Sequence, residues 1–293
     1  MTSQTVLVTG ASSGIGRAAA LALATRGHRV FAGARRIAAL EALRIEALPH
    51  TIVPLVLDMN DPVTIARTVA AIDQDTQGRG VDVLVNNAGY ATAGALLEMS
   101  DAILRAQFET NVFGLMTLTR AVLPAMMRRG KGRVVNVSSV SGRVPAPILG
   151  AYHATKYALE ALSDALRMEV ATFGVKVVLV EPGTVRTEFA ARTMEEAQRA
   201  AHLGSRYTTV YARAKETEAK FASAASDPDP VVRAIVRAVT SRKPSARYVA
   251  PRMFYLLIVL MKLLPTGLVD AIQRKLFGLT KKALAMDGTS TSP

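Results

Sequence analysis

The sequence lacks several residue types that would support particular kinds of chemistry. It has no cysteine among its 293 residues, which excludes disulfides, thiolate catalysis and zinc-thiolate sites. Its four histidines, at positions 28, 50, 153 and 202, are too scattered for metal-ligand spacing. Aromatic residues make up only 5% of the chain and the basic residues are spread out, so no base-stacking platform is evident. We therefore expect neither a metal nor a nucleic-acid partner.

Long apolar runs and an N-terminal targeting pattern are also missing. No uninterrupted apolar run reaches 18 residues, so we expect no membrane-spanning helix. The opening MTSQTVLVTG lacks the charged and apolar regions of a signal peptide and begins directly with a strand pattern. We expect a cytoplasmic protein, with association at a membrane surface as the alternative. The formal net charge of +13 has three interpretations: a basic solvated surface, attraction of a phosphorylated cofactor, or attraction of an anionic membrane.

What the chain does contain is a regular alternation of strand and helix patterns. Half of the residues are apolar, and the length suits one large α/β domain. The strand-like runs are apolar on both faces, which is typical of a buried parallel sheet. The alternation predicts a doubly wound, three-layer α/β Rossmann fold with a seven-stranded parallel sheet. The predicted strands are 5–9, 29–34, 51–57, 81–85, 133–137, 175–180 and 246–250.

We assign residues 1–250 to this single domain and residues 251–293 to a C-terminal helical extension. One helix is expected to end at Gly27, and another to begin at an Asp61 cap followed by Pro62. The strand pattern lapses over 184–229, which we expect to form a substrate loop with one or two helices. Its large apolar residues would either line a bulky apolar substrate or pack the loop onto the core: Phe189, Leu203, Tyr207, Tyr211 and Phe221. The final GTSTSP is expected to be disordered.

A glycine-rich turn follows the first predicted strand and opens the first helix. Gly10, Gly14 and Gly16 form the pattern G-x-x-x-G-x-G in VLVTGASSGIGRAAA. Glycine permits a tight turn and close approach of the backbone to a pyrophosphate, and the helix start offers free N–H groups. The turn therefore predicts dinucleotide binding; the alternative is a small-residue helix that merely packs against a strand.

Further motifs follow this turn in a fixed order. Tyr152 and Lys156 are four residues apart and would share one face of a helix. NNAG (86–89) follows the fourth strand, VVNVSSVSG ends the fifth strand with a serine pair, VEPGTVRTEF ends the sixth, and Asn111 lies in ETNVFG. In order and spacing these motifs resemble the short-chain dehydrogenase/reductase family over roughly residues 5 to 190. Within the family, the chain resembles NADP-dependent members acting on steroids, retinoids and other lipid-like substrates.

The resemblance implies a catalytic set of Asn111, Ser139, Tyr152 and Lys156. Tyr152 would exchange a proton with the substrate oxygen, and Lys156 would lower the pKa of Tyr152 and hold the nicotinamide ribose. Ser139 would stabilise charge on the substrate oxygen, and Asn111 would position a water that links Lys156 to solvent. We interpret the neighbouring Ser138, Ser141 and His153 as structural.

The resemblance also implies a cofactor-binding set that includes Tyr152 and Lys156. Asp58 is expected to bind adenine, and Val185 and Thr187 to touch the carboxamide side of nicotinamide. The other members of this set are Gly10, Ser12, Ser13, Gly14, Ile15, Gly16, Arg35, Arg36, Met59, Asn87, Ala88, Gly89, Pro182 and Gly183.

The end of the second strand bears on the choice between NADP and NAD. An NAD-preferring site usually has an acid there, whereas VFAGARR ends in Arg35 and Arg36. A guanidinium suits a 2′-phosphate by charge and by its forked geometry. We predict NADP(H) with Arg35 as the main determinant, assisted by Arg17; the alternative is that both arginines merely cap a solvated strand end.

The segment PRMFYLLIVLMKLLP, residues 251–265, is an unusual sequel to a last strand. A helix over its apolar residues 253–264 would be about 18 Å long, too short to cross a hydrocarbon core of about 30 Å. It has three interpretations: a buried core helix, an interface helix, or a segment lying on a membrane surface. The following residues are amphipathic and cationic, so the predicted membrane contact covers 251–285. We also expect a homo-oligomer, either a dimer or a tetramer.

Together these features predict an NADP(H)-dependent oxidoreductase. It would interconvert a carbonyl and an alcohol on a hydrophobic small molecule that is steroid-, retinoid- or lipid-like. The alternatives are a 3-oxoacyl-thioester reductase and a non-catalytic NADP-binding regulator. Such regulators commonly lose the tyrosine or the lysine, and this chain keeps both.

Overall fold

A seven-stranded parallel sheet forms the centre of the computed structural model, which describes residues 3–186, Thr193, 205–212 and 227–280. The strand order is β3-β2-β1-β4-β5-β6-β7, and every pair of neighbours is parallel. All seven predicted strands are confirmed, with ends that shift by two residues or fewer. The strands are β1 (Thr5–Thr9), β2 (Arg29–Ala34), β3 (Ile52–Val56), β4 (Val83–Asn86), β5 (Gly132–Val137), β6 (Val175–Pro182) and β7 (Arg247–Ala250).

Helices cover both faces of this sheet. The helices are α1 (Gly14–Ala24), α2 (Ile37–Glu46), α3 (Pro62–Asp75), α4 (Asp101–Phe108), α5 (Leu115–Arg128), α6 (Gly150–Glu169), α7 (Asp229–Thr240), α8 (Met253–Leu263) and α9 (Thr266–Leu276). Because strand side chains alternate between faces, Val6 and Val8 join one core with α1, α2 and α7. Leu7 points the other way, into a second core with α3, α5 and α6. The predicted three-layer, doubly wound architecture is therefore confirmed.

Both predicted helix ends are confirmed. Asp61 caps α3 as expected, because its side chain accepts a hydrogen bond from the Val63 N–H at 2.9 Å. The regular part of α1 ends at Ala24, and Gly27, in the left-handed conformation (φ +82°), closes the helix. The Gly27 N–H donates to the Ala24 carbonyl oxygen at 2.8 Å and the His28 N–H to the Leu23 carbonyl oxygen at 3.3 Å, which is the bond pair of a glycine C-cap.

The C-terminal extension begins at the sheet edge, where α8 follows β7. Ile258 is 3% exposed, whereas Leu256 and Leu263 on the other side of α8 are 72% and 78% exposed. The interpretation of this segment as a buried core helix is therefore wrong. Within the described ranges, no helix is both long enough and apolar enough to cross a membrane.

Part of the predicted substrate loop is described. Tyr211 is buried in a small cluster with Ala95 and Ile148, and its hydroxyl oxygen accepts a hydrogen bond from the Ala95 N–H at 2.9 Å. Tyr207 packs against the same cluster. These two tyrosines therefore pack the loop onto the body of the domain. The predictions for Thr187, Phe189, Leu203, Phe221 and the tail GTSTSP concern positions outside the described residues.

Candidate active site

The loops that carry the predicted site meet at one edge of the sheet. All strands are parallel, so the segments after β1, β2, β3, β4, β5 and β6 all leave from their carboxyl ends. The strand order reverses between β1 and β4, and a crevice opens at the carboxyl edge of an α/β sheet where this happens. The topology thus brings together motifs that lie up to about 170 residues apart in the sequence.

Asn111 lies in a π-helical turn, Glu109–Gly114, between α4 and α5. Its buried amide donates to the Tyr90 carbonyl oxygen at 2.9 Å and to the Thr155 hydroxyl at 3.1 Å. Its Oδ1 accepts a hydrogen bond from the Tyr90 N–H at 3.1 Å. Asn111 therefore joins the loop after β4 to the middle of α6. Turns of this kind occur often at functional sites, because they interrupt the regular helical ladder.

Tyr152 and Lys156 lie one turn apart on α6, and both are buried. The Lys156 ammonium lies 5.7 Å from the centre of the Tyr152 ring. It donates a hydrogen bond to the Val137 carbonyl oxygen at 2.9 Å, where β5 ends. The predicted pairing of these side chains on one helix face is confirmed, and the lysine is anchored to the strand that carries Ser139.

The pKa values of this pair depart from the expectation. Burial raises the pKa of Tyr152 to about 12, and a hydrogen bond with Ser139 opposes that rise. Burial lowers the pKa of Lys156 to about 8, and the nearby Glu160 carboxylate opposes that fall. In the protein alone the Tyr152 pKa is therefore raised, opposite to the predicted lowering by Lys156, because desolvation by burial is the largest influence on it. At neutral pH Tyr152 keeps its proton and Lys156 keeps most of its charge.

Ser139 follows β5 and faces the start of α6. Its hydroxyl oxygen accepts a hydrogen bond from the Ser141 N–H at 3.0 Å, and the hydroxyl donates a long one of 3.5 Å to the Pro182 carbonyl oxygen. His153 holds the same loop, since its Nδ1 lies 2.8 Å from the Ser141 carbonyl oxygen. His153 is therefore packed against the loop that presents Ser139, and the main chain of Ser141 helps to fix that loop. The structural role of the Ser141 side chain stays a prediction.

The glycine turn has the tight geometry that its sequence predicts. Gly10 and Gly14 have left-handed backbone conformations, with φ of +66° and +53°. At Gly16 a Cβ atom would overlap the Asn87 side chain and the Gly10 carbonyl. The turn therefore requires glycine at these positions, for backbone conformation at the first two and for packing at the third.

Thr9, at the end of β1, braces this turn and was not predicted. Its hydroxyl oxygen accepts hydrogen bonds from the N–H groups of Asn87 at 3.0 Å and Ala88 at 2.9 Å. The Asn87 side-chain amide donates back to the Thr9 carbonyl oxygen at 3.0 Å. The NNAG segment thus holds the glycine turn in place, and the Asn87 amide is used for that purpose. A buried threonine directly before the first glycine was the available sequence signal.

The start of α1 fits a dinucleotide phosphate group. The first N–H groups of a helix have no intrahelical partners, and within the described structure the Ser13 side chain does not cap those of α1. Ser12, Ser13, Gly14 and Ile15 are all partly exposed there. N–H groups and a helix dipole directed at one spot favour an anion, so these residues fit the pyrophosphate of a nicotinamide dinucleotide.

The two arginines after β2 lie beside this turn. Arg36 donates a hydrogen bond from Nη2 to the Ser12 hydroxyl oxygen at 3.3 Å, and both Arg35 and Arg36 are exposed. Arg17 instead pairs with Glu46 on α2. The expected assistance from Arg17 is therefore not supported, whereas Arg36 reaches the glycine turn directly.

The remaining predicted cofactor residues lie around the same edge. The Asp58 carboxylate accepts a hydrogen bond from the Asn60 N–H at 3.0 Å, and Met59 is buried beside it. The Gly183 N–H donates to the Ala250 carbonyl oxygen at 2.9 Å, and Val185 is buried in the core that contains α1. The structure thus places these residues at the sheet edge.

A buried ionic cluster behind Lys156 was also missed. Glu181 on β6 is fully buried; its Oε1 lies 2.9 Å from Arg143 and 3.1 Å from Arg247. Arg247 on β7 also pairs with Glu160 at 3.1 Å and with Asp164, both on α6. The cluster therefore links α6 to β6 and β7. The residues of this cluster are far apart in the sequence. The only sequence signal for it was the position of Glu160 four residues after Lys156 on the same helix.

Comparisons with known proteins place the chain among oxidoreductases. A family model described as short chain dehydrogenase matches residues 4–198. An NADPH-dependent 3-dehydrocapnine reductase from Ornithobacterium rhinotracheale is 32% identical, covering 91% of this chain and 94% of that protein. Human retinol dehydrogenase 8 is 37% identical, covering 83% of this chain and 80% of that protein.

A solved structure agrees with this relationship. A short-chain dehydrogenase from Streptomyces avermitilis is 34% identical to this chain. It superposes with a TM-score of 0.72, and the match covers 99% of both chains. The similarity therefore includes the C-terminal extension as well as the sheet.

Proposed function

Since this chain belongs to the short-chain dehydrogenase family, we propose that it is an NADP(H)-dependent oxidoreductase that interconverts a carbonyl and an alcohol on a hydrophobic substrate. The observation that carries the proposal is the burial of Tyr152, Ser139 and Lys156 together at the carboxyl edge of the sheet. Two relatives support the substrate class and the cofactor: one is named a retinol dehydrogenase and the other an NADPH-dependent reductase.

The proposed proton transfer uses Tyr152. A nicotinamide held by the glycine turn and Lys156 would supply the hydride in reduction and accept it in oxidation. With its pKa raised to about 12, Tyr152 carries a proton at neutral pH and can act as the general acid toward a carbonyl oxygen. Ser139 would hydrogen-bond that oxygen as negative charge develops on it. The charged Lys156 would stabilise the phenolate that the transfer leaves on Tyr152.

The support network has a defined part in this scheme. Asn111 is proposed to position a water that connects Lys156 with solvent. Its bonds to Tyr90 and Thr155 fix the amide beside α6. Asp58 is proposed to contact adenine, and Val185 and Thr187 to contact the nicotinamide side.

The test of the mechanism is Tyr152→Phe, which removes the hydroxyl and keeps the ring. NADPH consumption would be followed with a panel of steroid, retinoid and acyl-chain carbonyls and a 3-oxoacyl thioester. We expect kcat/KM to fall by about 10² to 10⁴, the usual contribution of a positioned acid. The matched control is Tyr157→Phe, because Tyr157 lies on the same helix and is 40% exposed.

Three outcomes would count against the proposal. Equal turnover by wild type and Tyr152→Phe would remove the assigned acid. Turnover of the thioester alone would favour the 3-oxoacyl-thioester reductase, and cofactor binding without turnover of any panel member would favour a regulator.

The choice of NADP has a separate test. We propose that Arg35, with Arg36 beside the glycine turn, binds the 2′-phosphate. Arg35→Asp should lower the ratio of kcat/KM with NADPH to that with NADH by at least about tenfold, or about 1.4 kcal/mol. Arg36→Asp should lower this ratio too, and Arg26→Asp, with the same charge change near the end of α1, should not. An unchanged ratio in Arg35→Asp would assign the preference to other residues.

A further inference from the structure

Helix α8 has an inner and an outer side, and both are apolar. Phe254 and Ile258 point inward, and a Cβ on Gly183 would overlap the Phe254 ring. Met253, Leu256, Leu257, Leu260 and Leu263 recur at helical spacing on the outer side and are exposed. We call these five residues the outer stripe. Such a row of large exposed apolar side chains marks an interaction surface rather than a solvated one.

Helix α9 repeats this arrangement in a weaker form. Leu268, Ile272 and Leu276 follow each other at intervals of four residues, and each is between 40% and 48% exposed. Polar and cationic residues, including Arg274 and Lys275, share the exposed surface of this helix. A helix with an apolar row and a basic remainder suits a position at the boundary between lipid and water.

The charge of the segment favours an anionic surface over a second copy of the chain. Residues 251–282 contain six basic side chains and one acid, Asp270. A two-fold interface formed by this surface would bring the same basic residues of two chains together, which is unfavourable. An anionic lipid surface instead offers the opposite charge and an apolar interior within reach of the stripe.

Both helices are fixed to backbone that flanks the proposed catalytic residues. Phe254 of α8 packs on Gly183, next to Pro182, whose carbonyl oxygen faces Ser139. From α9, the Gln273 side-chain amide donates to the Pro145 carbonyl oxygen at 3.3 Å, in the loop that precedes Tyr152. A membrane bound at these helices would therefore lie beside the substrate side of the site.

We propose that α8 and α9 form a peripheral binding site for an anionic lipid bilayer. The outer stripe enters the boundary between headgroups and acyl chains, and the basic residues stay among the headgroups. Helix α8 is about 16 Å long, so it lies along the surface and does not cross. The proposed role of this site in delivering a lipid-like substrate rests on the proposed function, whereas the membrane binding does not.

The test is co-sedimentation of the full chain with vesicles. One vesicle population is phosphatidylcholine alone, and the other is phosphatidylcholine mixed with phosphatidylglycerol. We expect wild type to pellet with the anionic vesicles, and less so as salt is raised. The triple variant Leu256→Gln, Leu260→Gln, Leu263→Gln should partition at least tenfold more weakly.

A matched control distinguishes binding through the outer stripe from nonspecific binding through other exposed apolar residues. Ile45, Leu48 and Met168 are 60%, 63% and 68% exposed and lie away from α8 and α9. Replacing all three with glutamine should leave vesicle binding unchanged. The proposal is overturned if wild type stays in the supernatant with anionic vesicles, or if the stripe variant pellets as well as wild type.

Light scattering without lipid addresses the second-copy alternative. Wild type and the stripe variant should have the same mass in solution. A stripe variant that loses a dimer present in wild type would assign the stripe to self-association and overturn the membrane proposal.

A kinetic readout distinguishes this proposal from the proposed function. With a small water-soluble carbonyl and no vesicles, the stripe variant should retain wild-type kcat/KM. With an apolar carbonyl presented in anionic vesicles, its apparent KM should rise and its kcat should not change. Vesicle binding without any turnover would contradict the proposed function and leave the membrane site supported.

Discussion

Two regions of this molecule depart from the usual relation between polarity and burial, and they do so in opposite directions. At the carboxyl edge of the sheet, polar side chains are buried, including Asn111, Ser139 and Lys156. On α8, large apolar side chains such as Leu256 and Leu263 are exposed. A buried polar group or an exposed apolar row is more informative about function than the ordinary arrangement.

The two regions differ in where their buried polar or exposed apolar side chains find interaction partners. The buried polar groups named above have partners within the chain, such as Tyr90 for Asn111 and Val137 for Lys156. The outer stripe of α8 finds its partner outside the chain if the membrane proposal is correct. Substitutions in the first region should therefore change the isolated protein, and those in the second should change only its interactions.

The largest expected effect is on stability, from Asn111→Ala. This change leaves the Tyr90 N–H without its side-chain partner and removes the bond to Thr155. The loss of buried hydrogen bonds should cost about 1–3 kcal/mol in the free energy of unfolding, measured by urea denaturation. Thr110→Ala is the control, since its hydroxyl bonds Asn60 at an exposed position of the same turn and should cost less than about 0.5 kcal/mol. Equal losses would show that burial does not distinguish these positions.

An intermediate effect is expected on the pH profile, from Glu160→Gln. The pKa of Lys156 is lowered to about 8 by burial, and the Glu160 carboxylate raises it against that trend. Removal of the carboxylate charge should lower the pKa of Lys156 further. If reduction requires the charged lysine, the fall in kcat/KM at alkaline pH should begin at a lower pH than in wild type.

The control for this shift is Asp164→Asn. Asp164 pairs with the same Arg247 as Glu160 does, but it does not figure among the groups that shift the Lys156 pKa. Its replacement should leave the alkaline limb in place. If both variants shift the limb equally, the effect comes from disturbance of the ionic cluster rather than from charge next to the lysine.

The smallest expected effect on the isolated protein is from the outer stripe. Leu256→Gln and Leu260→Gln should change the free energy of unfolding by no more than about 0.5 kcal/mol, since both side chains are already exposed. Ile258→Gln, on the inner side of the same helix, should cost about 2 kcal/mol or more. Thermal unfolding in the absence of lipid measures both. A large loss from the stripe substitutions would mean that the chain itself covers these residues.

Much of the fold follows from local pattern. Strands such as β1 and β2 were predicted to the residue, because a buried parallel strand is apolar on both faces and ends at turn residues. The end of α1 was also predicted, because Gly27 adopts the left-handed conformation that closes a helix. The local sequence specifies the capping glycine, and backbone hydrogen bonds place the last regular helical residue at Ala24.

The sequence predicted which residues form the candidate site better than it predicted their pKa values. Spacing placed Tyr152 and Lys156 on one helix face, and the resemblance to the family added Ser139 to them. The Tyr152 pKa shifts in the direction opposite to the predicted one, because burial by the whole domain is the largest influence on it. Thr9 was missed because its role depends on Asn87, 78 residues further along the chain.

The sequence by itself determined the order of strands and helices, the glycine turn and the identity of the residues that meet at the sheet edge. These properties depend on spacing along the chain, which the sequence states directly. Only the tertiary structure decided which groups lose water: Tyr152 and Lys156 are buried, and the outer stripe of α8 is left exposed. Desolvation depends on every neighbour at once, so spacing could place Tyr152 and Lys156 on one helix face but could not predict their pKa values.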